Sequence, residues 1–184
     1  MANVNSPRGL QVANSPYGTV KCTLHPITVA YATALYRGDP IVKVAAGTAE
    51  VGVAGAVIQG AALGFYDVDF SPLNYYVAST ATQCYVLVAD DVNQEYVIQE
   101  DGDTSDCAAT SAGINANLIA GTGSTVTGLS AYQLDSSSIN TTATLNLRLI
   151  KKLPIIGNDY GDYCKWLVKI NYHQAAVGTV GAGV

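Results

Sequence analysis

The sequence predicts an all-β fold, either a β-barrel or a β-sandwich, with an extended N-terminal arm and at most one short helix. Short apolar runs recur between clusters of Gly, Pro, Asn, Asp and Ser, and this spacing is typical of barrels and sandwiches. Residues 144–151 and 165–173 alternate polar and apolar side chains, which is the period of half-buried strands. The pattern of a long amphipathic helix is absent from the sequence.

Residues 1–30 are predicted to form the arm. Pro7, Gly9, Pro16, Gly18 and Pro26 lie among Asn and Ser, a composition that cannot sustain a helix and scarcely a strand. Two interpretations remain open for this segment. It either leaves its own core and is ordered by another surface, or it packs as a strand-like strip on its own domain.

A single β domain is predicted for residues 31–174. Glycine, proline and polar residues break its first part into short apolar runs, which we interpret as strands. The predicted strands cover residues 27–32, 41–45, 51–58, 61–68, 83–89 and 95–99. The uncharged window 51–65 is too short to span a bilayer and carries four glycines, so it favours a buried Gly-rich strand pair.

One or two helical turns are predicted at residues 104–112. Thr104 or Ser105 can cap the N-terminus, Asp106 favours its positive end, and Gly113 can end the helix. Residues 175–184 are predicted to be a flexible Gly-rich tail or a subunit contact.

Composition narrows the classes of function. The chain has 184 residues, of which 49% are apolar and 12% are charged, so one compact domain with a real core is expected. The net charge is −5 and the cationic residues are scattered, which argues against nucleic acid as a partner. No secretory signal and no membrane span are predicted. The uncharged polar surface suits a protein covered by partners, or simply one rich in strands.

The four cysteines are predicted to be free, buried thiols. Cys22, Cys84, Cys107 and Cys164 are widely separated and form no CxxC pair, so the sequence holds no zinc knuckle or thioredoxin motif. An even number allows two disulfides, but free buried thiols that act as small apolar side chains are the expected state.

Two segments resemble parts of known ligand-binding motifs but lack residues that those motifs require. The loop 121–130 has a Walker-like glycine pair, Gly123 and Gly128, but position 129 is leucine where a lysine is needed, so a turn is predicted. Asp101, Asp103 and the hydroxyl of Ser105 begin like a calcium loop, but Asp106 replaces its required glycine. The sequence therefore predicts no metal and no cofactor. The acidic segment around Asp101 and Asp103 is predicted to be a solvated loop, and the alternative is that it binds a calcium ion weakly at the surface.

No enzymatic activity is predicted. His25 and His173 are the only imidazoles, and neither lies in a motif that pairs a base with a nucleophile. An enzyme of unfamiliar design would require a deep polar pocket that holds one of them. Of the twelve tyrosines, Tyr160 and Tyr163 lie in a loop next to glycines and are the ones expected to be exposed as contact residues.

Six segments resemble one family of viral shell proteins. They read MANVNSPRGLQVA, ALYRGDPIV, LIAGTGSTVTG, YQLD, ATLNLRLI and NDYGDYCKWLVKINYHQ, and together they span most of the chain. In this order they resemble the capsid decoration proteins of tailed bacteriophages, which reinforce the outside of the head.

The resemblance implies a virion structural protein that is assembled in the host cytoplasm and binds the exterior of the mature capsid. Its partners would be the major capsid protein and further copies of itself, as a homotrimer or homodimer. The contact residues expected on this basis are Arg8, Leu10, Tyr17, Tyr160 and Tyr163. Two alternatives remain open: a carbohydrate-binding or adhesive module displayed on the virion, and a structural component of the tail or neck.

Overall fold

The computed structural model describes residues 3–103, 107–176 and 183. Its strands form two antiparallel sheets that do not close into a barrel within this part of the chain, so the all-β prediction is confirmed and the architecture is a β-sandwich. The strands are β1 (Gln11–Val12), β2 (Cys22–Pro26), β3 (Pro40–Lys43), β4 (Ala49–Val51), β5 (Gly60–Tyr66), β6 (Pro72–Leu73), β7 (Tyr85–Ala89), β8 (Glu95–Gln99), β9 (Asn115–Ile119), β10 (Gln133–Asn140), β11 (Leu147–Lys152) and β12 (Lys165–Ile170).

Sheet A has the strand order β1-β8-β12-β11-β9-β10, and sheet B has the order β2-β7-β5-β3-β4 with β6 paired to β5. Sheet A curls so far that Glu100, just after β8, makes a single parallel bridge to Leu134 of β10. Strands β2–β7 form sheet B and strands β8–β12 form most of sheet A, but within each sheet several neighbours, such as β2 and β7 or β8 and β12, are not consecutive in the chain.

The two sheets share one apolar core. Trp166, Leu149 and Leu118 of sheet A pack in the same cluster as Ala61 and Ala89 of sheet B. Burial of this apolar surface is the main stabilising contribution in such a fold.

The opposite face of sheet B is also covered, by the loops that carry Ile27, Leu35 and Tyr76. Because β5 and β7 are buried on both faces, they read as nearly continuous apolar runs without strict alternation. A β-carbon added at Gly60 would collide with the carbonyl oxygen of Ala89, so the close pairing of β5 and β7 requires glycine there.

Two predicted strands are wrong. The strand expected at 27–32 lies earlier, at Cys22–Pro26, because Ala30 has a φ of +55° and turns the chain. The strand expected at 51–58 ends at Val51, since Gly55 has a φ of +71° and the segment that follows is a turn.

Most other predicted elements are present. The strand at 95–99 is confirmed to the residue, and those at 41–45, 61–68, 83–89, 144–151 and 165–173 are confirmed with shifted ends. The helix expected at 104–112 is reduced to a 3-10 turn at Ala109–Ser111, and its first residues lie outside the described part of the chain. A second 3-10 turn occupies Gln174–Ala176, and the rest of the predicted tail, apart from residue 183, lies outside the described residues.

The start of the chain packs on its own sheets. Residues 3–13, which we call the leader, follow the edge of sheet A, where β1 pairs with β8. The N–H of Leu10 donates to the Gly38 carbonyl at 2.8 Å, and the Leu10 side chain is only 1% exposed. Cys22–Pro26 then pairs with β7 over five residues. In the single chain, residues 3–13 and 22–27 therefore adopt the second of the two arrangements considered for the arm, whereas most of residues 14–21 are exposed.

Gly9 makes this docking possible. It has a φ of +68°, and a β-carbon there would collide with the carbonyl oxygen of Gly38. Gly38, with a φ of +95°, would collide in the same way with the Arg8 carbonyl. The two backbones thus meet at a distance that only paired glycines permit.

The buried side chain of Asn146 ties a turn of sheet B to sheet A. Its amide oxygen accepts from the N–H groups of Gly55 at 3.0 Å and Leu118 at 3.2 Å. Its amide nitrogen donates to the carbonyls of Ala56 at 2.7 Å and Val53 at 3.3 Å. All the hydrogen-bonding capacity of this side chain is used, as burial requires.

The cysteines Cys22, Cys84, Cys107 and Cys164 are free thiols, and the last three are buried. Burial raises the pKa of the Cys164 thiol to about 12, so it stays protonated and unreactive at neutral pH. Within the described residues, no helix has the length and apolarity that crossing a membrane requires.

Candidate interaction surface

The loop 153–164, between β11 and β12, is closed by the side chain of Asn158. Its amide nitrogen donates to the carbonyls of Leu153 and Lys165, both at 2.9 Å, and its amide oxygen accepts from the Lys165 N–H at 2.8 Å. The Asn158 side chain is buried, and at the base of the loop it makes the hydrogen bonds that a neighbouring strand would otherwise make. The loop is therefore held in one shape although it lies on the surface.

Asn3 fastens the leader to this loop. Its side-chain nitrogen donates to the carbonyls of Asp159 at 2.8 Å and Asp162 at 2.9 Å, while its oxygen accepts from the Asp159 N–H at 3.1 Å. These bonds join positions more than 150 residues apart in the chain. Two distant segments consequently form one continuous surface.

Gln99 of β8 holds the next part of the leader. Its side-chain oxygen accepts from the Ser6 N–H at 2.9 Å, and its nitrogen donates to the Asn5 side chain at 3.0 Å. Together with Asn3, Gln99 gives the leader a fixed path without regular strand pairing before residue 11.

Four large apolar side chains project from the leader and the loop. Val4 is 75% exposed, Ile155 50%, Ile156 105% and Tyr160 48%. Val4, Ile155 and Ile156 line a common groove of about 270 Å³. We call these four residues the leader–loop patch. Single exposed apolar residues are ordinary, but a group of them on a braced surface is typical of an interaction site.

Lys152 orients Tyr160. The ammonium nitrogen donates to the Asn158 carbonyl at 2.6 Å and lies 4.7 Å from the centre of the Tyr160 ring. The same ring lies 5.9 Å from that of the buried Trp166. A cation and a second aromatic ring thus fix the position of the exposed tyrosine.

The five contact residues suggested by the sequence do not form one surface in the structure. Tyr160 is an exposed residue of the patch but does not line its groove. Tyr163, which has a φ of +61°, lines the groove with Val4, Ile155 and Ile156, although it is half-buried with its ring against Gly102. Arg8 is exposed and lines neighbouring grooves. Leu10 belongs to the chain's own core and is not available as a surface contact.

Tyr17, the fifth of them, is 67% exposed but lies in the turn that follows Asn14. Asn14 bonds to Glu95, at the start of β8, whereas the patch lies near Gln99, at its end. Tyr17 is thus at the opposite end of that strand from the patch.

Val4, Ile155 and Ile156 were not identified from the sequence. The signal available was a pair of isoleucines, directly after Pro154, in a segment otherwise rich in turn residues. Apolar residues in a loop have no core of their own to fill, and this makes them candidates for contacts with a partner.

An acidic cluster forms at the turn that follows β8, on either side of Gly102. Ligand atoms of Asp101, Asp103 and Asp135 lie within 4.8 Å of one another. The Ser136 hydroxyl donates to Asp101 at 2.8 Å and to Asp103 at 3.0 Å. Asp135 comes from a different strand, so its approach to the acidic loop was not predictable from sequence.

The two histidines, remote in sequence, both lie near Asp90. The His25 Nε2 is 3.8 Å from the Asp90 carboxylate, and the His173 Nδ1 accepts from the Ala175 N–H at 3.1 Å. Burial lowers the pKa of both imidazoles, partly offset by the charge of Asp90. Neither histidine lines the groove of the patch or the two grooves beside Arg8.

The loop 121–130 is a turn. Gly128 has a φ of +67°, and its N–H donates to the Ser124 carbonyl at 2.8 Å. Arg37 braces it through the Thr127 carbonyl at 2.6 Å, which leaves Val126 87% exposed at its tip.

Comparison of this chain with models of known protein families, with curated proteins and with solved structures finds no match.

Proposed function

We propose that this protein is a capsid decoration protein of a tailed bacteriophage, which binds the major capsid protein on the outside of the mature head through the leader–loop patch. The patch is the observation that carries the proposal, because its apolar side chains are exposed on a surface held by the hydrogen bonds of Asn3, Gln99 and Asn158. The resemblance of the sequence to that family supports the same function.

The patch offers enough apolar surface for a useful contact. Complete burial of one valine, isoleucine or tyrosine side chain contributes roughly 1.5–3 kcal/mol. Part of that is offset by the entropy lost on binding. The braced loop and leader keep the offset small, since little further ordering is needed when a partner binds.

Repetition over the lattice multiplies a modest contact. A ligand that binds only the mature lattice stabilises it in proportion to occupancy, and a homotrimer or homodimer would add avidity. The acidic net charge of −5 keeps such a protein soluble before assembly and away from packaged DNA.

We expect Ile156→Asp to weaken capsid binding at least about tenfold, because it places an unpaired charge beside the apolar side chains of the patch. Ile156 is fully exposed, so the melting temperature of the free protein should change by less than about 2 °C. Co-sedimentation of the variant with capsids that lack the protein measures the binding.

Val126→Asp is the matched control, since Val126 is also highly exposed, at 87%, on a different loop. It should bind capsids like the unmodified protein. Equal loss of binding in both variants would indicate a nonspecific charge effect, and unchanged binding by Ile156→Asp would exclude the patch as the contact surface.

Reinforcement is tested on whole particles. Virions with and without the protein are heated or exposed to osmotic shock, and genome release is recorded. Decorated particles should release DNA at a higher temperature. Equal survival would rule out reinforcement, and a count of a few copies per virion would favour a tail or neck component.

A carbohydrate-binding role is the second candidate. It rests on the exposed ring of Tyr160, because the ring of Tyr163 is already packed against Gly102. Binding to a glycan array that is lost in Tyr160→Ala would support this role over reinforcement.

A further inference from the structure

A second cavity, of about 300 Å³, lies between the segment 33–39 and the loop 120–123. Its lining includes Tyr36, Asp39, Val51, Gly121 and Tyr132, and shares no residue with the groove of the leader–loop patch. The volume is at the lower end of the range for small-ligand sites, about 300–1,000 Å³.

Asp39 places a buried carboxylate at this cavity. The residue is 3% exposed, and its Oδ2 accepts the Tyr36 N–H at 2.7 Å. A hydrogen bond from the Ser130 side chain also stabilises the charged form, but burial outweighs both bonds and raises the pKa of Asp39 to about 6. At neutral pH the carboxylate is therefore ionised.

In the described part of the chain, no counter-ion contacts this charge. Among the described residues, no Lys, Arg or His nitrogen lies within 4.0 Å of the Asp39 carboxylate. Arg37, its close neighbour in sequence, is directed to Thr127 and Asn74 instead. Since a buried charge without a partner is costly, a cation that enters the cavity would gain a strong attraction.

The other walls suit an alkyl chain that carries such a cation. Tyr36 stacks on Tyr75 with ring centres 5.3 Å apart, and the Tyr132 hydroxyl donates to the Gly52 carbonyl at 3.2 Å. Both tyrosines are therefore held in place before any ligand arrives. Aromatic rings next to a carboxylate attract ammonium groups and pack against methylene groups.

We propose that this cavity binds a primary alkylammonium group, with the Asp39 carboxylate as its counter-ion and Tyr36 and Tyr132 beside its alkyl chain. An anion would be repelled by the carboxylate, and a neutral ligand would leave its charge uncompensated. The ammonium group has two possible sources, a free diamine or a lysine side chain of a partner protein.

The test is an NMR titration of the full chain with n-butylammonium chloride, with sodium butyrate and n-butanol as controls. Shifts of the amide signals at 36, 39 and 121–123 are expected only with the ammonium compound. Asp39→Asn should weaken this binding at least about tenfold, whereas Asp69→Asn, an exposed carboxylate in another turn, should leave it unchanged. Equal binding of n-butanol, or unchanged binding by Asp39→Asn, would overturn the proposal.

The pH dependence gives a second test on the unmodified protein. With the pKa of Asp39 at about 6, about one tenth of the sites are ionised at pH 5 and nearly all at pH 7.5, so binding should be about tenfold weaker at pH 5. Equal affinity at the two pH values would contradict the assignment of the counter-ion to Asp39.

Asp39→Asn is expected to fold. The pKa of Asp39 is raised on folding, so the stability associated with this group is greatest below its unfolded pKa of 3.8 and is lost as the pH rises through about 6. A neutral amide removes this loss, and the variant should melt higher than the unmodified protein at pH 7.5.

The source of the ammonium group is distinguished by comparing cadaverine with Nα-acetyl-lysine N-methylamide. Binding of both would identify a lysine side chain of a partner as an acceptable ligand. Binding of cadaverine alone would restrict the site to free amines, and binding of neither would overturn the proposal.

Discussion

Gly9→Ala is expected to release the leader and to lower the free energy of unfolding by about 3–4 kcal/mol. The φ of +68° at Gly9 costs a non-glycine residue about 1–2 kcal/mol, and the added β-carbon would collide with the Gly38 carbonyl. If the leader moves to relieve this collision, the buried side chain of Leu10 becomes exposed and loses roughly 2 kcal/mol of burial. The melting temperature should fall by about 10 °C.

Gly18→Ala is the matched control, because Gly18 has a φ of +76° but nothing within 4 Å of an added β-carbon. It should cost only about 1–2 kcal/mol, the strain of the backbone alone. Trypsin cleavage after Arg8 and hydrogen exchange at the Leu10 amide report the position of the leader directly. If the leader of Gly9→Ala resists trypsin and its Leu10 amide exchanges as slowly as in the unmodified protein, the role given to the paired glycines is contradicted.

Release of the leader also has a functional consequence. Val4 would leave the patch, and Asn3 would no longer hold the loop at Asp159 and Asp162. We therefore expect Gly9→Ala, but not Gly18→Ala, to weaken capsid binding as measured by co-sedimentation. Normal binding by Gly9→Ala would show that the leader is not part of the contact surface.

Asn146→Asp is expected to destabilise the fold by about 3–5 kcal/mol at pH 7. The amide nitrogen of Asn146 donates to the Ala56 and Val53 carbonyls, and a carboxylate oxygen in its place would face them without a proton. Because Asn146 is fully buried, the new charge is removed from bulk water, which makes it costly.

The effect should diminish as the pH falls. The folded state raises the pKa of the introduced carboxyl, so part of the lost stability returns when that group becomes protonated below its folded pKa. Denaturant unfolding at pH 5 and pH 7 measures this. Asn140→Asp is the control, since the exposed Asn140 side chain only accepts hydrogen bonds, from Thr142. A similar loss in both variants would contradict the role assigned to Asn146.

The sequence predicted best those strands whose pattern is local. The alternation of residues 165–173 identified β12 without knowledge of its partners. In that strand Trp166, Val168 and Ile170 are buried and Lys165 and Lys169 are partly exposed, although Leu167 is buried as well. The prediction failed at residues 51–58, where apolar residues form a turn because the side chains of Asn117 and Asn146 hold the backbone of Gly55. No local pattern reports a bond made by a side chain so far along the chain.

The candidate site was only partly predictable. Exposure of Tyr160 was expected from its turn-rich surroundings and is present. Leu10 was expected as a contact residue and is buried, because Gly9 and Gly38 allow the leader to dock on its own sheets. Asp39 carried no signal at all, since its burial beside Tyr132 depends on how the loops of both sheets meet.

The sequence by itself determined the all-β class and the loop that carries Tyr160, because both depend on the type and spacing of neighbouring residues. Only the tertiary structure decided the path of the leader, the assembly of Val4 with Ile155 and Ile156, and the cavity at Asp39. These features join segments that are distant in the chain, and their geometry follows from packing and hydrogen bonds that exist only once both sheets are formed.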